Sequence, residues 1–508
     1  MESFLKELLE GEIHQRDRLQ FELKSDFIPT SQIKKNIYSQ EFYFFIPAVL
    51  RVNKYNYSKQ QFYRDQTNLI RYKTPELSLK EIIDEKSRFS PLKKIYSSIN
   101  SLQTSENIKT IQNELKLLGN IVRSALRRDC QLLIEEFDDC KNSNDFKKEI
   151  WNEKINVFYQ EIKEFYCRYY QMQEKFTEKW SDSILFKHFL YVSEFISNSI
   201  SFYSTGLLDH LTNFIEDKFA VSKERLSKLI LEEDEKNKDL YHISIDEDED
   251  SSQNEYILYR KGLLNKFVLD SLLLNFKTKA PKDQYSHLIA GIAAGIAMLF
   301  YLLLFIFQGD VFVINSTPFV ILTVILYILK DRLKDGIKTL YKKKSFKWFP
   351  DYTTKIYTSD KQHKIGKLTE SFSFVNHKQL PGNIKHIRNI QFHTILETVK
   401  RPETVIYYKK ELTLESCKKK KNRETHSLNT IFRFNIHQFL QKASNPYTSY
   451  LKLNSENLEL KERRLPKVYH LNIIMLNKHF ANDSQIEEEI KKFRLIVDKN
   501  GIKRIESL

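Results

Sequence analysis

The sequence predicts an α+β membrane protein in three parts. These are a mainly helical N-terminal region built as a long-helix bundle, a two-helix transmembrane hairpin, and a mainly antiparallel C-terminal β domain. Three observations carry this reading. Two uncharged apolar segments, Leu288–Phe307 and Val311–Leu329, lie side by side. Apolar residues recur at helical spacing from Ser105 to Phe276, and after Lys347 the pattern changes to short alternating runs.

The first 104 residues form a mixed segment with strands expected near 21–53. The run Glu41–Val52 is rich in aromatic and β-branched residues, and Pro47 points to an edge strand or a bulge. Ser58 and Ser78 are placed to cap short helices, and Thr74-Pro75 stops the first.

Residues 105–280 read as a helical bundle facing the cytoplasm. Ile108, Ile111, Leu115, Leu118, Val122 and Ala125 alternate steps of three and four, which builds one apolar stripe. Further helices are expected over 144–179, 183–219, from Ser222 to before Tyr241, and over 254–276. Lys187 and Glu194 argue against a membrane span in the third, since a charge at the bilayer centre costs about 2.5 to 3.5 kcal/mol.

Each segment of the expected hairpin, 288–307 and 311–329, holds about the twenty residues that cross a hydrocarbon core. Gln308, Gly309 and Asp310 read as the turn between them. Asn315, Ser316, Thr317 and Pro318 interrupt the second, which leaves a kink or a late start open. A buried hairpin of a soluble protein is the competing reading, but core helices are usually shorter and more polar. Ala290, Gly291, Ala294 and Gly295 recur at four-residue steps, so that face is expected to pack on the second segment or on another copy of the chain.

Residues 330–348 form a basic juxtamembrane segment. Lys330, Arg332, Lys334, Lys338, Lys342, Lys343 and Lys344 are expected against anionic lipid head groups, and they place both termini in the cytoplasm. The chain of 508 residues carries a net charge of +15, a share of which comes from this cluster. Lipid is therefore the expected anionic partner, with a protein partner or a homo-oligomer beside it, and nucleic acid is not expected. The basic run Lys418–Lys421 with Arg423 lacks interleaved aromatics for base stacking.

Residues 349–508 read as a cytoplasmic β-rich domain. Strands are expected over 353–357, 371–375, 404–415, 430–436 and 468–476. Asn500-Gly501 joins two final strands into a hairpin.

Chemistry is not announced by any motif. No phosphate loop, dinucleotide fingerprint, zinc-protease helix or nucleophile elbow occurs, so no catalytic, cofactor or metal residue is assigned. Asp246, Asp248 and Asp250 match the start of a calcium loop, but Ser251 and Ile257 replace its glycine and its closing glutamate. Eight histidines from His363 to His479 lack ligand spacing. Cys130, Cys140, Cys167 and Cys417 form no C-x-x-C pair and are expected as reduced thiols.

The segments YRDQTNLIRYKTP, YILKDRLKDGIK and VDKNGIKRIE give the chain a layout that resembles uncharacterised bacterial integral membrane proteins of similar length. That resemblance implies a bacterial inner membrane and no activity. A scaffold, sensor or assembly subunit facing the cytoplasm is the expected function. The alternatives are a self-associating pore or membrane-disrupting effector, and a membrane-tethered enzyme with its site in the C-terminal domain.

Overall fold

In a computed structural model the described residues are 13–29, 35–84, 87, 89–99, 104–140, 145–181, 183–212, 219–241, 251–311, 313, 316–348, 350–359, 363–390, 403–415, 427–453, 459–481 and 484–508. The acidic stretch 246–250 and the basic run 418–423 lie outside them.

In chain order the strands and main helices begin with β1 (Ile13–Gln15), β2 (Gln20–Phe27), β3 (Lys35–Pro47), α1 (Lys59–Asp65) and β4 (Gln66–Tyr72). Then come α2 (Ser105–Cys140), α3 (Asp145–Trp180), α4 (Ile184–Thr212), α5 (Ala220–Tyr241) and α6 (Ser252–Leu269). These lead to β5 (Asn275–Lys279), α7 (Pro281–Val311), α8 (Thr317–Trp348), β6 (Tyr352–Tyr357) and β7 (Lys364–Val375). The chain closes with β8 (Glu403–Glu415), β9 (Leu428–Asn435), β10 (Tyr447–Leu453), β11 (Leu460–Pro466), β12 (Tyr469–Ala481), β13 (Ser484–Asp498) and β14 (Gly501–Ser507). Two compact units divide it: Arg71–Leu273 falls in one, and Glu12–Ile70 with Leu274–Leu508 forms the other.

The first unit is helical. Leu115, Leu118, Val122 and Leu126 of α2 are buried with Phe189, Val192 and Ile196 of α4, as an apolar stripe at helical spacing requires. Glu194 is buried within this unit, and Arg260 Nε and Nη2 donate to its two carboxylate oxygens at 2.6 and 2.7 Å. A second buried carboxylate, Glu233, accepts from Tyr166 Oη at 2.6 Å and from Ser197 Oγ at 2.7 Å.

The second unit is built on sheets. One has four strands in the order β1-β2-β9-β4 and another eight, β14-β13-β12-β3-β8-β7-β6-β5. Phe42 and Phe44 of β3 meet Phe432 and Phe434 of β9, with ring centres 4.8 and 5.2 Å apart, so the apolar layer lies between these two sheets. Tyr43 and Phe45 point to the opposite face of β3 and pack with Leu380 and Ile384. Burial on both faces explains the unbroken aromatic run. It also corrects the edge-strand reading: β3 is an interior strand between β12 and β8, and Pro47 is its last residue, paired with Glu403. β10 and β11 form a separate two-stranded ribbon.

The expected two-helix transmembrane hairpin is not what the chain builds. Among the described residues only α7, over Ala290–Gly309, is long and apolar enough to cross a membrane by length and composition. The reason lies at the turn. Gln308, Gly309 and Asp310 belong to the last turn of α7, which runs to Val311, and α8 starts only at Thr317. Its apolar part therefore runs from Thr317 to Leu329, about 20 Å of helix against a core of about 30 Å. Lys330, Asp331, Arg332 and Lys334 follow at once.

Candidate membrane-facing site

α7 and α8 lie antiparallel. Phe305 meets Phe319 edge to face at 5.8 Å, and Lys330 Nζ lies 5.7 Å from the centre of the Tyr301 ring. Near the tip, the buried Gln308 side chain donates to Phe319 O at 2.5 Å and to Thr323 Oγ1 at 3.0 Å. Thr323 Oγ1 in turn donates to Phe319 O at 2.8 Å. Leu326 is buried on α8, and Ala293, Ala297 and Gln308 are buried on α7.

Gly291 and Gly295 do not pack on α8 within the chain. A methyl group placed on Gly291 or Gly295 would meet nothing within 4 Å, and Ala290 and Ala294 are only half-buried. Ala293 and Ala297 form the close-packed stripe instead. Both series have the same four-residue step, so sequence spacing alone could not choose between them.

Many large apolar side chains of the pair are exposed. Leu299, Leu303, Ile306 and Phe307 on α7 are exposed, as are Val320, Ile321, Val324, Ile325 and Ile328 on α8, and Val313 between the helices is 80% exposed. Contiguous apolar surface of this kind marks an interaction site. Below it, Lys330, Lys334 and Lys338 are half-buried and Arg332 is exposed. Lys330 Nζ also sits 3.9 Å from the Tyr327 ring centre. Asp331 and Asp335 interleave with these cations, and Lys338 reaches Asp335 at 4.0 Å, so the stretch is less positive than its lysines suggest. The side chains of Lys342, Lys343 and Lys344 lie outside the described residues.

Both feet of the helix pair are stitched into one sheet edge. β5 precedes α7 and β6 follows α8, and the two strands pair antiparallel from Asn275↔Tyr357 to Lys279↔Thr353. Asn275 Nδ2 donates to Ser359 O at 2.7 Å, and the Thr278 and Thr354 hydroxyls meet at 2.9 Å. Asp351, buried just before β6, accepts from Lys59 Nζ at 2.8 Å and from the Phe372 backbone N–H at 2.9 Å.

Buried titratable groups gather deeper in the same unit. Lys410 of β8 lines a cavity of about 10 Å³ together with Tyr38, Gln40, Asn68 and Thr430, which is room for one water. Burial pushes the Lys410 ammonium down to about 7, against the pull of Glu370. Glu370 accepts from Asn68 Nδ2 at 2.7 Å and from Tyr408 Oη at 2.6 Å. Burial, with Glu370 beside it, raises the Tyr408 phenol well above its ordinary value. At the other sheet, burial alone would raise Glu22, but the His14 hydrogen bond, the charges of Arg433 and His14, and the Arg16 hydrogen bond hold its carboxyl at about 2. None of these groups was visible as a site in the sequence. They come together through strand register, such as Glu370↔Lys410.

The late histidines are dispersed. Among the described residues no cluster of His, Cys, Asp and Glu forms a metal site, and His393 and His426 fall outside them. His479 stacks on Tyr38 at 4.3 Å, and burial lowers its pKa. Cys130 is buried and Cys167 exposed, both as free thiols. No family model matches the chain, and no curated protein or solved structure matches it.

Proposed function

We propose that the protein is a membrane-anchored scaffold, or a subunit of a membrane assembly, whose α7–α8 pair enters a bilayer from one face and returns to that face without crossing. The observation that carries this is the exposed apolar tip combined with the pairing of β5 and β6. A single crossing by α7 would leave β5 and β6 on opposite sides of the membrane, which their hydrogen-bonded ladder forbids. Apolar stretches of 10–14 residues suit re-entrant insertion, and Thr317–Leu329 has that length. Lys330, pinned beside Tyr301, then marks where both helices reach the head groups, with Arg332, Lys334 and Lys338 just outside. These cations favour the cytoplasmic face, and a bacterial inner membrane is the proposed location.

Anchoring confines the chain to a surface, which raises the effective concentration of whatever it binds there. The test is flotation of the full chain with neutral phosphatidylcholine vesicles. Deleting residues 299–329 and joining the ends with a short Gly-Ser linker should abolish flotation while the sheet still folds. Flotation that survives the deletion would refute the anchor.

A further inference from the structure

The ribbon β10–β11 stands apart from both larger sheets, and every residue of its two strands is exposed. A lone two-stranded ribbon is marginally stable in water. Its register sorts the side chains into two faces. Thr448↔Leu465, Tyr450↔Arg463 and Lys452↔Lys461 share one, and Ser449↔Arg464 and Leu451↔Glu462 share the other. The first face carries three cations and no acid. Among the described residues, Lys452, Lys461 and Arg463 have no ion-pair partner. Lys452 and Lys461 stand directly opposite each other, an arrangement that is unfavourable until an anion comes between them.

The ribbon also lies at an informative end of the eight-stranded sheet. Tyr352, where α8 returns to the sheet, is paired with Glu370, and β7 continues from there to Val375. Val375 is opposite Val405, Val405 opposite Phe45, and Phe45 opposite Asn472 near the start of β12. β6 and β12 therefore run in the same direction, although Tyr352 is level with Asn477, through Glu370, Lys410 and Gln40, and so lies well inside the start of β12. β5 ends and β6 begins on the side that faces the end from which the ribbon leads into β12.

We propose that the face of the ribbon carrying Tyr450, Lys452, Lys461 and Arg463 binds the anionic head groups of the bilayer that receives the α7–α8 tip. This rests on the membrane reading above. The cations meet lipid phosphate and carboxylate, and Tyr450 and Leu465 occupy the interfacial layer, where amphipathic rings are favoured. The ribbon is then a second foot that fixes the rotation of the β unit on the membrane.

The experiment is flotation of the full chain on vesicles of phosphatidylcholine alone and of phosphatidylcholine with phosphatidylserine, each titrated with salt. Wild type should bind both and prefer the anionic vesicles. The triple variant Lys452→Ser, Lys461→Ser, Arg463→Ser should bind neutral vesicles as wild type does. It should partition onto anionic ones roughly tenfold or more weakly, with a shallower salt dependence. Lys452→Arg with Lys461→Arg should keep the preference of wild type, which separates charge from fold. An unchanged anionic preference in the triple variant overturns the proposal. So does a triple variant that turns a dimer into a monomer in the absence of vesicles while its vesicle binding is unaltered, because the face then belongs to a second copy. Loss of binding to neutral vesicles by wild type would instead refute the α7–α8 anchor on which the proposal rests.

Discussion

Lys330 Nζ lies 5.7 Å from the centre of the Tyr301 ring, so the first cation of α8 stands beside the middle of the apolar stretch of α7. Continuing the antiparallel register from this pair, Ala297 and Ala293 fall alongside the charged turns Leu333–Lys338. Beyond Tyr301 and Lys330 both helices are mainly apolar, with Gln308 and Asp310 the polar exceptions in the last turn of α7, and a charge at Asp310 costs about 2.5 to 3.5 kcal/mol if it reaches the bilayer centre. A depth of about half a bilayer follows from that pairing. Lys330→Leu should extend the apolar stretch of α8 by one residue, about 1.5 Å, because Asp331 and Arg332 follow, and should increase the protection of Val311 and Val313 from aqueous quenchers slightly. Fluorophores attached at either position would report it.

Gln308 locks the same tip. Its amide donates across to α8, and Thr323 completes the contact. Interhelical hydrogen bonds in lipid are worth about 0.6 kcal/mol on average. A double-mutant cycle of Gln308→Leu and Thr323→Val should give a coupling of about 0.5–1.5 kcal/mol in detergent-solubilised protein. Zero coupling would mean that the two groups do not meet.

Lys410 makes the β unit sensitive to pH. Its pKa is lowered on folding, so between about 7 and its unfolded value near 10.4 the unfolded chain binds more protons than the native one. Stability from this group therefore rises with pH across that window and is flat below it. Urea unfolding followed from pH 6 to 10 should show the rise, and Lys410→Met should flatten it.

Glu22 acts at the opposite end of the scale. Its folded pKa of about 2 lies below the ordinary carboxylate value, so its contribution is present above about pH 4.5 and is lost as the pH falls toward 2. Glu22→Gln should remove that part of the acid transition. Equal acid sensitivity in wild type and variant would assign the transition to other carboxylates.

Arg260→Ala should strand the buried Glu194 carboxylate and destabilise the helical unit by about 3 kcal/mol. Adding Glu194→Gln should recover part of the loss. Thermal unfolding monitored by helical circular dichroism measures both.

Much of the helical unit is legible in sequence because burial there follows a period. Ile111, Leu115, Leu118, Val122 and Ala125 were readable as a stripe, and they are core residues of α2. The Asn500-Gly501 turn was legible for a local reason. Gly501 takes φ 137°, and Asp498 Oδ1 accepts from the N–H groups of both Asn500 and Gly501. What sequence could not give depends on where a helix starts. Thr317-Pro318 suits a first helical turn, and α8 begins there. The ribbon was missed because its strands bury neither face, so no alternation marks them. The Glu370–Lys410 cluster was missed because it exists only through pairing between distant strands.

The most direct measurement of the anchor is maleimide labelling at Val313 in sealed membrane vesicles. The reagent is membrane-impermeant and is applied to each face in turn. The labelling added by Val313→Cys over the parent chain is read with and without detergent. A re-entrant tip predicts no added labelling from either face and full labelling once detergent dissolves the bilayer. Added labelling from the face opposite the β unit would show that the helix pair crosses, and labelling from the same face without detergent would show that the tip never enters the membrane. Either result would contradict the proposed anchor.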